Sequence, residues 1–458
     1  MIKNGLKVFL PTLLIIIACA SVKTNVKFYN PILKDIQIEK YEAAVKKIDK
    51  ARANEIYTKK DRVLFYLDKG MVQHYKGDYV KSNEDFHEAE NDMEELFTKS
   101  ISKAALSYLL NDNALDYYGE VYENIYVNIF KALNYANLDD FDGAYVEINR
   151  VNDKLRELDV KYGQMIESLN KSDDAKIKIE NTQTEFSSDV LSHYLSYIIY
   201  RAEGERDDAR ISHEKMVQAW KTQPDIYDFA KPSSISAEPK LNGTYLNIIA
   251  FTGLAPYKKA VGGKITTYKD MIGISGLDMP ISVPNIPFPG SKEGYHFKFS
   301  FPVINTANSN ISKIVVRIDG KNTYTLDLLE DMGKVAIKSF NKNRKIIYIK
   351  TVVRTVLKGL AAAEAKKKLK KETKAKGGWG TLLDAVVDVS VDATENADLR
   401  CWRMMPRYCS VGEIPITTGS HDIEIEFMNK NNLLIKKKTY PSYTITNKLN
   451  LIDLALIN

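Results

Sequence analysis

Histidine and cysteine are scarce in this chain, with six and three among 458 residues. The histidines (His74, His87, His193, His213, His296, His421) include no pair at metal-ligand spacing and no H-E-x-x-H. No G-x-S-x-G elbow and no Walker loop occurs, and Gly253 and Gly262-Gly263 belong to no phosphate-binding fingerprint. Ser-x-x-Lys spacings stand at Ser100–Lys103, Ser168–Lys171, Ser212–Lys215 and Ser339–Lys342, but none has a downstream Lys-Thr-Gly. Lysine is common enough to make such matches by chance. The local metal, nucleotide and acyl-transfer motifs are thus excluded, while an enzyme with a site assembled from distant segments stays open. The sequence implies no cofactor and no metal. Proline is nearly missing from Ile36 to Ala230, and no later apolar run reaches the roughly 20 residues that span a bilayer.

One short apolar run does occur, at the start. Lys3 and Lys7 precede Phe9–Ile17, and Ala18-Cys19 closes the run, the arrangement of a secretory signal. With Ala18 before Cys19 it resembles a bacterial lipoprotein signal, which implies cleavage before Cys19 and acylation of its thiol and new amino terminus. Ile16 and Ile17 make the box relaxed, so an ordinary cleaved signal or an N-terminal anchor is the alternative. The expected division is a signal at 1–18 and a lipid-anchored tether at 19–35.

Acylation of Cys19 leaves Cys401 and Cys409 as an even pair. In an oxidising compartment they form either a disulfide around Trp402, Met404, Met405 and Pro406 or two separately buried thiols.

From 36 to 230 apolar residues recur at helical spacing. Around Gly77-Asp78-Tyr79, the positions Gly70, Ser82, Phe86 and Ala89 match the small and large sites of a tetratricopeptide repeat. A small residue lets the second helix approach, Gly-Asp turns the chain, and the aromatic locks the pair. Partial copies fall at Tyr41, Ala44, Ile48 and Ala51, at Ala132, Asp139-Asp140-Phe141, Ala144 and Ile148, and at Gly204-Glu205, Ala209 and His213. The spacing predicts a degenerate helix pair in each interval, at Leu106–Tyr126 and Arg156–Glu185. The alternative is an irregular helical array. A repeat stack offers a concave groove for peptides. The tyrosines Tyr75, Tyr108, Tyr117, Tyr118, Tyr122, Tyr126 and Tyr135 either line it or, more in keeping with their type, pack between helices.

Helical spacing stops at Lys231-Pro232, the predicted domain boundary. Thr244–Phe251 reads as a buried strand, Asp278–Gly290 with its four prolines as an edge or loop, and Tyr295–Phe301 as a strand. Ile314–Ile318, a turn and Thr323–Leu328 read as a hairpin. His421–Phe427, the turn Asn429–Asn432, Leu433–Tyr440 and the final residues complete a β-sandwich over 231–458. A helical pair is expected as an insertion at about 331–399, with stripes at Ile346–Leu360 and Leu382–Val387. The fold class is therefore α+β multidomain. Lys358–Lys376 holds eight Lys and two Glu, a net +6 equal to that of the whole chain. It is either a solvated helix end or an arm for anionic glycans or lipid headgroups through Lys366, Lys367, Lys368, Lys370, Lys371, Lys374 and Lys376. Nucleic acid is disfavoured, since no aromatic is there to stack bases.

Several segments together resemble an uncharacterised family of bacterial envelope lipoproteins with helical repeats and a β-rich domain. They are Gly77-Asp78-Tyr79 with Phe86–Glu90, Leu110–Ala114, Ala132–Tyr135, Ala144–Glu147, Gly253–Lys258, and Ala397-Asp398 with Arg400, Trp402 and Pro406. The resemblance implies a fold and an envelope location, and no catalytic residues. The expectation is a non-enzymatic, periplasm-facing scaffold, on the outer membrane in view of Ala20 and Ser21, whose repeats bind a protein partner.

Overall fold

The computed structural model describes residues 23–24, 26–102, 110–182, 185–276, 282–374 and 396–458. Cys19, Tyr108, Lys376 and the stripe Leu382–Val387 lie outside the described residues. The chain is helical in its first part and forms sheets in its second, and it changes over between Thr222 and Tyr245.

The early helices are α1 (Val26–Gln37), α2 (Tyr41–Ala53), α3 (Arg62–Lys76), α4 (Tyr79–Ser102), α5 (Val121–Asn137), α6 (Phe141–Asn170), α7 (Val190–Glu203) and α8 (Arg206–Thr222). The pairs α3–α4, α5–α6 and α7–α8 pack about short turns. Each turn holds one left-handed residue, Gly77 (φ 82°), Asp139 (φ 57°) or Gly204 (φ 83°), the conformation that ends a helix by satisfying its last carbonyls. Inside the first pair, a Cβ on Gly70 would stand 2.7 Å from Phe86 Cδ1, and Ser82 Oγ donates to the Gly70 carbonyl at 2.8 Å. Ala89, Ala132, Ala144 and Ala209 are wholly buried where the frame puts small residues. Tyr79 is half-buried beside His74.

Two expectations fail here. Each interval between turns holds no additional helix pair among the described residues. Instead α4 and α6 run to 24 and 30 residues. The polar stretch after Arg156 keeps Leu158, Tyr162, Met165 and Leu169 on one buried stripe, so α6 continues through it. The described residues of 171–189 form no helix, and 110–120 hold only the 3-10 turn Asp112–Ala114. Residues 26–35, placed in the tether, are instead mostly α1, with Tyr29, Ile32, Leu33 and Ile36 buried and Tyr29 Oη donating to Asp68 at 3.0 Å.

The strands are β1 (Tyr245–Thr252), β2 (Tyr257–Tyr268), β3 (Met271–Gly276), β4 (Ser282–Pro287), β5 (His296–Asn305), β6 (Lys313–Ile318), β7 (Asn322–Thr325), β8 (Asp327–Asp331), β9 (Tyr408–Pro415), β10 (Gly419–Met428), β11 (Leu434–Ile445) and β12 (Asn450–Leu456). They form three sheets, ordered β12-β1-β9-β8, β11-β10-β6-β7 and β4-β3-β2-β5. The proline-rich segment supplies the edge strand β4, where a missing N–H costs no ladder bond.

The first sheet is a central layer, apolar on both faces. Strand alternation sends Leu246, Ile248 and Ala250 of β1 into a core shared with the second sheet, where Val316, Ile425 and Phe427 meet them. Ile249 and Phe251 point the other way and join the core of the helices. β12 and β9 divide likewise: Leu454 and Ile414 face the second sheet, while Val411 and Cys409 join the helical core. Helices and sheets therefore share one core across the boundary at 231.

α9 (Met332–Lys374) is a single helix of 43 residues that carries the first expected stripe; the second, Leu382–Val387, lies outside the described residues. Its start, Met332, Val335 and Ala336, lies in the helical core. Its middle, Ile346, Val352, Val353 and Val356, lies in another core with the third sheet and the far half of α6. Gly359 permits the crossing, since a Cβ there would fall 2.3 Å from Phe297 Cε1.

Cys401 and Cys409 are two separate buried thiols and form no disulfide. Cys409 sits in β9 opposite Phe251. Cys401 precedes the strand, in the electrostatic field of Arg403, Glu123 and Lys258, and burial pushes its thiol up to about 11. The residues between them are not a loop closed by a bridge: Trp402, Met404 and Met405 are fully buried in the helical core.

Candidate functional site

A cavity of about 220 Å³ lies where α4, α6, α9, β2 and the segments 110–120 and 398–400 meet. Its apolar wall comes from Leu96, Met165, Leu169, Ile346 and Ile347. Its polar wall is built from short-range caps. Asn111 caps the 3-10 turn by accepting from Asn113 N at 3.0 Å. Glu120 is the N-cap of α5, in a reciprocal box with Glu123 that satisfies orphan amides at the helix start.

These caps meet charges from far along the chain. Lys258 pairs with Glu120, and Asn343 Nδ2 donates to the other oxygen of Glu120 at 2.9 Å. Lys350 reaches Asp112 at 2.9 Å. Arg400 is 2% exposed in its side chain. It donates to Asp398 (2.7 Å), Asp61 (3.2 Å) and the carbonyls of Asp112 (3.0 Å) and Leu115 (3.1 Å), and lies over the Tyr117 ring. Below it, Glu123 accepts from Tyr117 Oη at 2.6 Å and from the amide of Trp402 at 2.6 Å.

The electrostatics follow from burial and pairing. Burial alone would raise the Asp112 and Asp398 carboxyls, but Lys350 and Arg354 beside the first and Arg400 beside the second hold them below their ordinary values. Burial and the neighbouring Glu120 push Glu123 the other way. Burial would lower Lys258, yet Glu120 and Asp398 keep it above its usual value. The buried charges are therefore matched among themselves. Such a lattice fixes relative positions and leaves an apolar hollow beside it.

Residues from three segments far apart in the chain, Leu110–Ala114, Gly253–Lys258 and Ala397–Pro406, converge at this lattice. Asp61, Glu120, Asn343 and Lys350 were not singled out by the sequence. Only Glu120, three residues before Glu123 at a helix start, left a local signal.

A second cavity, about 290 Å³, is an outer cleft between α4 and α6, floored by the start of α5. Met93, Phe97, Leu158 and Tyr162 give it apolar walls, and His87, Glu94, Arg150, Asp153, Glu157 and Lys161 line it with mixed charge. At its base Lys131 bonds Glu90 and Glu147 at 2.7 and 2.9 Å. Burial would raise Glu90, but Lys154 and Lys131 hold it far below the carboxylate range.

The inner side of the helix pairs is occupied by the chain itself. His74 Nδ1 donates to Asn134 Oδ1 at 2.7 Å, and its Nε2 lies 3.2 Å from Asp453 in β12. Tyr126 Oη donates to Glu330 in β8, Tyr75 Oη donates to the Met404 carbonyl at 2.8 Å, and Arg201 bonds Glu413 in β9 and Asn247 in β1. The tyrosines Tyr75, Tyr122 and Tyr126 are thus packing residues with bonded hydroxyls, while Tyr117, also bonded through its hydroxyl, lines the first cavity and Tyr118 lines both.

Of the lysine arm, Lys367 is exposed, with its ammonium 5.5 Å from the Tyr295 ring centre. Lys366, Lys368, Lys370, Lys371 and Lys374 lie on the last turns of α9. No group of His, Cys, Asp and Glu suited to a metal ion occurs among the described residues, and none of their helices is long and apolar enough to cross a membrane. No protein-family model, curated protein or solved structure matches this chain.

Proposed function

We propose that this chain is a lipid-anchored scaffold facing the periplasm, which holds an extended segment of a partner protein in the outer cleft between α4 and α6. In this reading the helix pairs are tetratricopeptide-like and the first two sheets form a β-sandwich. The observation that carries it is the division of surfaces. The inner helix faces are covered by the chain's own central sheet, while the outer cleft is open and bears apolar walls with charges of both signs. Such a lining suits a mixed-sequence peptide better than a small anion or a bare apolar ligand.

Photo-crosslinking groups at His87, Glu94 and Lys161 in cells test it. A discrete adduct from the cleft, lost in Arg150→Glu/Lys161→Glu, is expected. Absence of any adduct from a chain still in the membrane fraction overturns the partner, and failure of a labelled fatty acid to incorporate into the chain in a Cys19-dependent way overturns the lipid.

A second reading uses Lys358–Lys376 to hold anionic glycan or lipid headgroups, favoured by the exposure of Lys367 near the end of α9. Replacing the eight lysines by Gln should then abolish sedimentation with purified cell wall or anionic vesicles.

A further inference from the structure

The turn joining β10 and β11, with the first two residues of β11, carries the most exposed aliphatic cluster of the described residues. Leu433, Leu434 and Ile435 are consecutive and 62%, 54% and 40% exposed. The turn is built firmly. Asn429 Oδ1 accepts from the amides of Asn431 (2.9 Å) and Leu433 (3.0 Å), Asn429 N donates to the Leu433 carbonyl (3.0 Å), and Asn432 is left-handed at φ 57°. The aliphatics are thus held out by a fixed turn at the end of the second sheet, in its edge hairpin.

Their surroundings are cationic. Residues 428–438 contain Lys430, Lys436, Lys437 and Lys438 and no acid. Lys313 stands opposite Met428 on β6. Lys436 and Lys438 reach Glu39, and Lys437 reaches Glu424. Lys430 and Lys313 sit nearest the tip and form no ion pair among the described residues. Protein interfaces are depleted of lysine and anchored by aromatics and arginine. A tip of aliphatics ringed by lysines, with no aromatic, has the composition of a segment that dips into a bilayer interface while its ammonium groups reach anionic headgroups.

We propose that the β10–β11 turn is a lipid-contacting tip that seats on an anionic bilayer surface. This goes beyond N-terminal anchoring and uses a different part of the chain, so it stands or falls separately from the fate of Cys19.

The full chain with Leu434→Cys, in a Cys19→Ser background, is labelled with a polarity-sensitive fluorophore; Cys401 and Cys409 are buried and protected. With phosphatidylglycerol-containing phosphatidylcholine vesicles, a blue shift and quenching by bilayer-embedded quenchers are expected. Lys313→Gln/Lys430→Gln should weaken the response, and added salt should weaken it less in that variant than in the parent. Replacing Leu433 and Ile435 by Ser should cut the bilayer-inserted fraction about tenfold or more. Water-like emission on vesicles that nonetheless hold the chain overturns the proposal. So does a blue shift that needs added envelope protein, or one that grows with chain concentration without lipid. Binding of the chain through residues 9–17 leaves the reporter at 434 water-like and so reads as failure of the tip alone.

Discussion

At Gly70 one methyl group decides how closely α3 and α4 approach. Alanine would gain about 1 kcal/mol of helix propensity, but its Cβ would meet the Phe86 ring at 2.7 Å, and overpacking of that kind costs about 1–3 kcal/mol. Gly70→Ala is therefore expected to lower stability in urea unfolding, and Phe86→Leu in the same chain should recover part of the loss; additive effects would contradict the packing argument. Asp68 poses an electrostatic problem. Burial lifts its carboxyl to about 7, although hydrogen bonds from Tyr57 (2.7 Å) and Tyr29 (3.0 Å) pull it down. The folded chain holds this proton more tightly than the unfolded chain, whose carboxyls titrate near 4. Its contribution to stability is thus full below about pH 4 and is lost as pH rises through about 7. Asp68→Asn should flatten the fall in urea midpoint between about pH 4 and 7. Gly70 with Phe86 was legible because its spacing is local. Asp68 was not, since nothing near it in sequence announces Tyr29 across 39 residues.

Among elements, α9 depends on one close approach. Gly359→Leu is expected to prise the helix from β5, destabilise the fold by a few kcal/mol, on the order of other core overpacking, and expose Lys350 and Arg354 to trypsin. Unchanged proteolysis would show that the crossing is not what seats the helix. Among the strands that were legible, β1, β5, β6 and β10 carry unbroken or alternating β-branched and aromatic runs, and β7, β11 and β12 were read from the turns beside them and from the chain's last residues. β2, β3 and β9 went unread. β2 interrupts its alternation with Lys258-Lys259 and Gly262-Gly263, and Gly263 is required because a Cβ there would lie 2.4 Å from Phe299. β9 lies just after Cys401 and Trp402, where the cysteine spacing suggested a closed loop. The long helices α4 and α6 misled the repeat count because a fixed period presumes short ones.

For the whole molecule, the seam between helices and central sheet sets cooperativity. Arg201 and Glu413 are 4% and 3% exposed in their side chains. Arg201→Ala strands a buried carboxylate and should cost about 3–5 kcal/mol, whereas Arg201→Met with Glu413→Leu should be nearly neutral; chemical denaturation of the two variants separates these outcomes. Helical and sheet signals should unfold in one transition, and two resolved calorimetric transitions would contradict a shared core. The change from helices to strands between Thr222 and Tyr245 was legible as a change of composition. The sharing of a core across it was not, because β1 is apolar on both faces and such a run does not say what lies on either side. The parallel pairing of β1 with β12 also sets a timetable. During synthesis the inner faces of α3, α5 and α7 emerge early, yet the strand that completes their cover comes only with residues 450–456. β1, β8 and β9 bring most of that cover earlier, so a chain stopped upstream of 450 is expected to lack only the share that β12 adds, together with the Asp453 partner of His74.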